Sequence, residues 1–272
     1  MALTTKQIQQ HFDGFLQTPC LWKKNDVFDL HQFQIQQKSE PINFPINAKL
    51  RLGKYIERFV SFQLIQDEST ELLAENIQIN KDKTTLGELD CLLIKYDKLI
   101  HLEIIYKFYL YDASVGNVET EHFIGPNRKD SLVEKLNKLK HKQLPLLYSK
   151  ECKSYLKRIN LNVEDIEQQV YFKAQLFVPF ADKEVQLKKL NQKCVSGFYI
   201  YQHEIRQFSD CKLYIPTKKD WLIIPHANVE WLSFNVFINE VSIFLARQFS
   251  PLVWVKHPFG NIEKLFVVWW HA

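Results

Sequence analysis

Apolar residues recur along this chain at two spacings, helical and alternating, and the change of spacing divides it. Ile8, Phe12, Phe15 and Leu16 follow the 3/4 period of a helix near the N-terminus. Irregular Gln- and Pro-containing sequence comes next, punctuated by Pro41 and Pro45. Leu52, Tyr55, Ile56, Phe59 and Val60 restore the helical period and predict a helix over 49–66. Two strands are expected across 86–111, then a helix over 131–143 that Pro145 should end. Beyond residue 160 alternation dominates, beginning with Val170, Phe172, Ala174, Leu176 and Val178. Further strand-like runs stand at Phe198–Tyr201, Lys212–Ile215, Trp221–Ile224, Leu252–Val255 and Leu265–Trp270, with a helix at 235–249 among them. The pattern predicts an α/β (α+β) fold with a central mixed sheet flanked by helices. It divides into an N-terminal helical or irregular extension (1–46), a core (47–160) and an aromatic-rich β/α part (161–272); the last two are free to share one sheet.

The run Gly87-Glu88-Leu89-Asp90-Cys91-Leu92-Leu93 and the run from Leu99 to Leu110 are rich in β-formers, and Asp97-Lys98 between them suits a two-residue turn. That turn would set Asp90 opposite Ile105, Leu92 opposite Glu103 and Glu88 opposite Lys107. One face then carries Glu88, Asp90, His101, Glu103 and Lys107, interleaved with Leu92 and Ile105. The other carries Leu89, Cys91, Leu93, Leu102, Ile104, Tyr106, Phe108 and Leu110, interrupted only by Lys95 beside the turn. A one-residue slip would destroy this agreement.

Carboxylates gathered on a half-buried face repel one another and lose hydration. A hard cation such as Mg²⁺ or Mn²⁺ would offset both costs, with Asp90 and Glu103 as its ligands at diagonal positions about 7–8 Å apart. Lys107 would orient a water or stabilise charge on a scissile phosphate. His101 shares that face, either as a support for the acids from behind or as a plain surface or structural histidine. The competing reading is a solvated sheet face with Glu88 and Lys107 as a cross-strand ion pair. Leu132, Leu136 and Leu139 argue against it, because that apolar stripe needs a sheet face to cover.

Charge sharpens the picture. The net charge is +4, but residues 125–158 hold ten Lys/Arg against three Asp/Glu. Ser131-x-x-Glu134 is a capping-box pattern at the start of the basic helix. Lys135, Lys138 and Lys142 fall on one side of it, and Arg128 and Lys129 precede it. These residues form a candidate backbone-tracking patch for nucleic acid, set against the plainer reading of a solvated helix face. Gln143 falls near the apolar stripe of the same helix and therefore needs a buried polar partner, which the carboxylates could supply.

Other chemistries find no foothold. With seven glycines and neither GxGxxG nor GxxxxGK[ST], dinucleotide and P-loop folds are not indicated. Nine histidines show no zinc spacing, and no GxSxG elbow occurs. Five scattered cysteines without a CxxC pair fit reduced thiols. No signal-like or membrane-spanning stretch is seen, so a cytoplasmic location without membrane association is expected. The tryptophan-rich C-terminal part reads as core before it reads as a base-stacking surface.

The order of these residues resembles the PD-(D/E)XK nuclease superfamily: an acid on a leading helix (Glu57), an Asp on one strand (Asp90), an acid and a lysine on the next (Glu103, Lys107), then a basic helix. The resemblance implies a restriction-endonuclease-like core with Asp90, Glu103, Lys107 and Glu57 as catalytic residues and Mg²⁺ or Mn²⁺ as cofactor. It departs at Ile105, where that superfamily places the lysine. The stretches LGKYIERFV, GELDCLL, LEIIYKFYL and GPNRKDSLVEKLNKLKHKQLPLLY also resemble an uncharacterised bacterial family, domain-of-unknown-function family 1853. The expected function is metal-dependent hydrolysis of phosphodiester bonds in DNA, with RNA as a second substrate class and a protein partner or homodimer as further association. The alternative is a non-catalytic nucleic-acid- or protein-binding module on a degenerate nuclease fold.

Overall fold

The computed structural model describes residues 3–23, 27–36, 38, 40–42 and 44–271, so parts of the N-terminal extension lie outside it. Helix α1 spans Thr5–Gln17 and α2 spans Leu52–Gln66, as the apolar spacing predicts. Strands β1 (Thr70–Lys81), β2 (Thr84–Lys95), β3 (Lys98–Tyr111) and the short β4 (Phe123–Ile124) follow. Next come α3 (Leu132–Lys138), a π turn over Leu139–Gln143, a 3₁₀ turn over Leu144–Tyr148, and α4 (Lys150–Arg158). The remainder is β5 (Ile166–Pro179), β6 (Val195–Tyr201), β7 (Lys212–Tyr214), α5 (Phe234–Ala246), β8 (Leu252–Lys256) and β9 (Ile262–Val268).

The strands hydrogen-bond in the order β1-β2-β3-β5-β6-β9-β8-β7, with β4 on β3. Pairing is antiparallel at β1/β2, β2/β3, β7/β8 and β8/β9 and parallel at β5/β6 and β6/β9, which makes a large mixed sheet flanked by helices. The chain divides into two compact units that interleave in sequence. The first holds residues 20–106 and 134–173, the second 4–19, 107–133 and 174–271.

In the first unit β1, β2 and the start of β3 form a meander. The turn between β2 and β3 falls at Tyr96-Asp97, one residue earlier than expected, with Lys95 paired to Lys98. Both turn residues have positive φ (48° and 62°), the backbone that a two-residue hairpin of right-handed twist demands. Lys95 anchors the position. Its buried ammonium pairs with Asp67 and donates to Ser69 Oγ at 2.9 Å, fastening the hairpin to the end of α2. Leu92 therefore faces His101 and not Glu103. The correction is a slip of two residues, so every side chain keeps its expected face. Ile77, Ile79, Leu89, Leu147, Cys152, Leu156 and Ile166 build the apolar core of this unit.

In the second unit, α5 packs Phe237, Val241 and Leu245 against Phe198, Ile200, Val253, Val255, Leu265 and Val267 of the sheet. Trp221, Trp254 and Trp270 are all buried, so most of the C-terminal aromatic surface is core. The strand expected at Trp221–Ile224 is instead a 3₁₀ turn over Asp220–Leu222. Its backbone is satisfied locally by Leu222 N–H to Lys219 O (3.1 Å) and by the Lys264 ammonium on Trp221 O (2.7 Å), leaving no ladder to join. The Trp221 ring is enclosed edge-on by Phe108 and Phe266. No helix among the described residues is long and apolar enough to cross a membrane.

Two glycines make opposite predictions. At Gly197, on β6, an added Cβ would lie 2.1 Å from the backbone oxygen of Lys264 on β9. Gly197→Ala should lower the unfolding free energy by about 1–3 kcal/mol or more. Gly53, in the first turn of α2, has nothing near a Cβ, and Gly53→Ala should raise stability by about 0.4–1 kcal/mol. Urea midpoints at unchanged slope measure both.

Candidate metal centre

Two of the acids expected on one sheet face, Glu88 and Asp90, come together with Glu57 in the first unit, beside Lys54 and not Lys107. β2 supplies Glu88 and Asp90, and α2 supplies Glu57 from the turn after Lys54. One carboxylate oxygen from each of Glu57, Glu88 and Asp90 lies within 4.8 Å of the others. Lys54 Nζ donates to Glu57 Oε2 (2.8 Å), to Asn76 Oδ1 (2.8 Å) and to Glu88. Asn76 belongs to β1 and holds a positive φ of 56° within a strand, a conformation that asparagine tolerates better than most residues.

Asp90 takes the place of a ladder hydrogen bond. The regular β2/β3 pairing runs only from Cys91–Leu102 to the turn. At the next step the Asp90 carboxylate itself accepts the Ile104 N–H, at 2.8 Å. One oxygen is thereby fixed across the strands.

Glu103 stands beneath, fully buried. Its Oε1 receives His101 Nε2 at 3.2 Å and its Oε2 receives Gln143 Nε2 at 2.5 Å. Gln168, on β5, donates to His101 Nδ1 (3.0 Å) and to Leu144 O (2.7 Å). This network assigns the imidazole proton to Nε2, where it serves Glu103. Gln143 reaches the acid because the helical path widens into the π turn, in which Leu144 N–H bonds Leu139 O. Its amide oxygen accepts Lys135 Nζ at 2.6 Å. The partner that the sequence demanded for Gln143 is therefore Glu103.

The electrostatics follow from confinement. Burial pushes the Asp90 carboxyl up to about 7, with the neighbouring Glu103 charge adding to the rise; the Ile104 N–H opposes it. Burial also raises Glu57, against the pull of Lys54. Lys54 is held above its ordinary range: burial works against its charge, but bonds to Glu57 and Glu88 outweigh that. The two partners respond unequally because Glu57 is the more deeply buried and also feels Glu88 and Glu103. Among the described residues, Glu57 and Glu88 share the Lys54 ammonium, and Glu57, Glu88 and Asp90 are the carboxylates close enough together to hold one cation.

The other expected site residues fall as follows. Lys107, in the second unit, pairs with Asp130 at 2.6 Å. Four residues along a strand is about 13 Å of rise from Glu103. The lysine bonded to the acids is Lys54, which sequence reading passed over although it stands three residues before Glu57 on the same helix face. Ile105, two residues after Glu103, is buried. Arg128 pairs with Asp112 at 2.8 Å and lies over the Trp270 ring. Lys129, Lys138 and Lys142 are exposed, while Lys135 is committed to Gln143.

A family model described as "Domain of unknown function (DUF1853)" matches residues 11–268, and the chain belongs to that family. No curated protein and no solved structure matches the chain.

The raised Asp90 carboxyl makes a testable statement about stability. Its folded-state pKa of about 7 lies above the ordinary 3.8, so between those values the folded chain keeps a proton that the unfolded chain releases. Without divalent cations, stability should fall as pH rises through that window and level off above it. Asp90→Asn should remove much of this slope. Thermal unfolding midpoints of both proteins across the window, in chelator, measure it.

Proposed function

We propose that this chain is a metal-dependent phosphodiester hydrolase acting on nucleic acid, DNA first and RNA second, built on a restriction-endonuclease-like core. The convergence of Glu57, Glu88 and Asp90 within 4.8 Å carries the proposal. Such hard oxygen ligands suit Mg²⁺ or Mn²⁺, which would supply Lewis-acid activation of a phosphate oxygen and of the attacking water. Asp90 is the central ligand, since its second oxygen is already fixed by Ile104 N–H. Glu103, with both oxygens bonded to His101 and Gln143, acts as a fixed negative charge beside Asp90. Lys54, bonded to two of the acids, replaces Lys107 as the cation placed to stabilise charge on the scissile phosphate. Lys138 and Lys142 on the exposed helix side would track the phosphate backbone.

One observation favours the non-catalytic alternative. The Lys54 ammonium already bonds Glu57 and Glu88, and Ile105 stands where the superfamily has lysine, so the acids could be a neutralised remnant in a nucleic-acid- or protein-binding module. Cleavage of mixed DNA and RNA substrates in Mg²⁺ or Mn²⁺ separates the two. Wild type should cut; Asp90→Ala should lose about 10²–10³-fold or more, and His101→Ala about 10–100-fold through the loss of a donor to Glu103, the charge beside Asp90. Equal products from wild type and Asp90→Ala would sink the hydrolase reading.

A further inference from the structure

The second unit holds a cysteine, a histidine and a glutamate in series, on elements that the acid cluster does not use. Cys211 immediately precedes β7, His257 immediately follows β8, and Glu263 lies on β9. His257 Nδ1 lies 3.7 Å from Cys211 Sγ, and His257 Nε2 lies 2.7 Å from Glu263 Oε2. The histidine is well held. Its N–H bonds Asn261 O (2.9 Å), its carbonyl accepts Gly260 N–H (2.9 Å), and its ring rests against Phe208. Gly260 makes this tight turn possible with a φ of 93°.

One imidazole thus bridges a thiol and a carboxylate through its two different nitrogens. That is the geometry of a nucleophile, its base and the group that orients the base. The carboxylate accepts a hydrogen bond from Nε2–H, which leaves the Nδ1 lone pair facing sulfur. Cys211 lies at the edge of the core and retains 9% exposure, whereas Cys91, Cys152 and Cys194 retain at most 1%. The charged groups acting on the thiol are the carboxylates of Asp210 and Glu263; with burial as the larger cause, they raise its pKa. Free thiolate is therefore scarce at neutral pH, and reaction depends on a base that takes the proton as the new bond forms.

We propose that Cys211 is a nucleophilic thiol, served by His257 and held in orientation through Glu263, and that it is a site of covalent modification by soft carbon electrophiles such as α-halo amides and α,β-unsaturated carbonyls. In the step, the Sγ–H bond breaks as its proton passes to His257 Nδ1, and the sulfur pair forms the S–C bond. An α-halo amide expels halide. An unsaturated carbonyl instead takes the proton back at its α-carbon. Glu263 stabilises the imidazolium that exists in between.

The test is alkylation of the intact, metal-free chain by iodoacetamide at neutral pH, with glutathione as internal competitor and mass spectrometry to read each cysteine. Cys211 should react faster than glutathione and faster than Cys20, the partly exposed cysteine. His257→Gln should slow Cys211 by at least about 10-fold, and Glu263→Gln should slow it several-fold, both in proteins that still unfold cooperatively. Glu263→Gln keeps size and shape at a half-exposed position and carries the reading if His257→Gln fails to fold. A Cys211 no faster than glutathione, or a rate unchanged in the folded variants, overturns the proposal.

Discussion

Ionised carboxylates set side by side on a half-buried sheet repel one another, and each has lost water that only a donor or a cation can replace. β2, β3 and α2 impose that constraint on Glu57, Glu88, Asp90 and Glu103, and the surrounding structure is organised to bear it. Each of them meets a donor: Ile104 N–H at Asp90, His101 and Gln143 at Glu103, Lys54 at Glu57 and Glu88. The supports also have supports, since Gln168 fixes the imidazole and Lys135 fixes the Gln143 amide. A buried polar network of this completeness is costly to assemble and costly to break, which makes it a device for holding geometry more than a source of stability.

Much of this was legible in the residue order, for a simple reason. Side chains alternate strictly along strands, so a two-residue shift in the β2/β3 register left Asp90, His101 and Glu103 on the face assigned to them. Gln143 could be flagged because a polar residue on an apolar stripe must find a partner. The partner of Glu88 could not be read this way. Lysine side chains are long, and whether Glu88 meets Lys107 or Lys54 depends on how α2 lies along β1, which no local pattern records. β1 escaped notice because it is the edge strand and is bulged at Leu72/Ala74 and Ile79/Asn80, which breaks its period of two. α4 was missed because only Cys152 and Leu156 of its nine residues are buried, too thin an apolar signal beside its charges.

The second unit follows a different logic. Its tryptophans serve packing, with Trp221 and Trp254 almost wholly enclosed, so aromatic richness there marks a core. The failed strand at Trp221–Ile224 shows the limit of β-propensity: a hydrophobic run becomes a strand only if a neighbouring backbone is free to pair with it. Here the turn closes on itself and its carbonyl is claimed by Lys264.

The π turn at Leu139–Gln143 carries an evolutionary consequence. Its hydrogen bond spans one residue more than an α-helical bond, from Leu144 back to Leu139. A chain shorter by one residue here could wind a plain α-helix, but everything after the deletion would rotate by about 100° around the axis. Glu103 would then lose one of its two donors. Alignments within the family can therefore be screened by length alone: members that keep the extra residue keep the means of holding the buried acid, and members that lack it must hold that acid differently or have abandoned it.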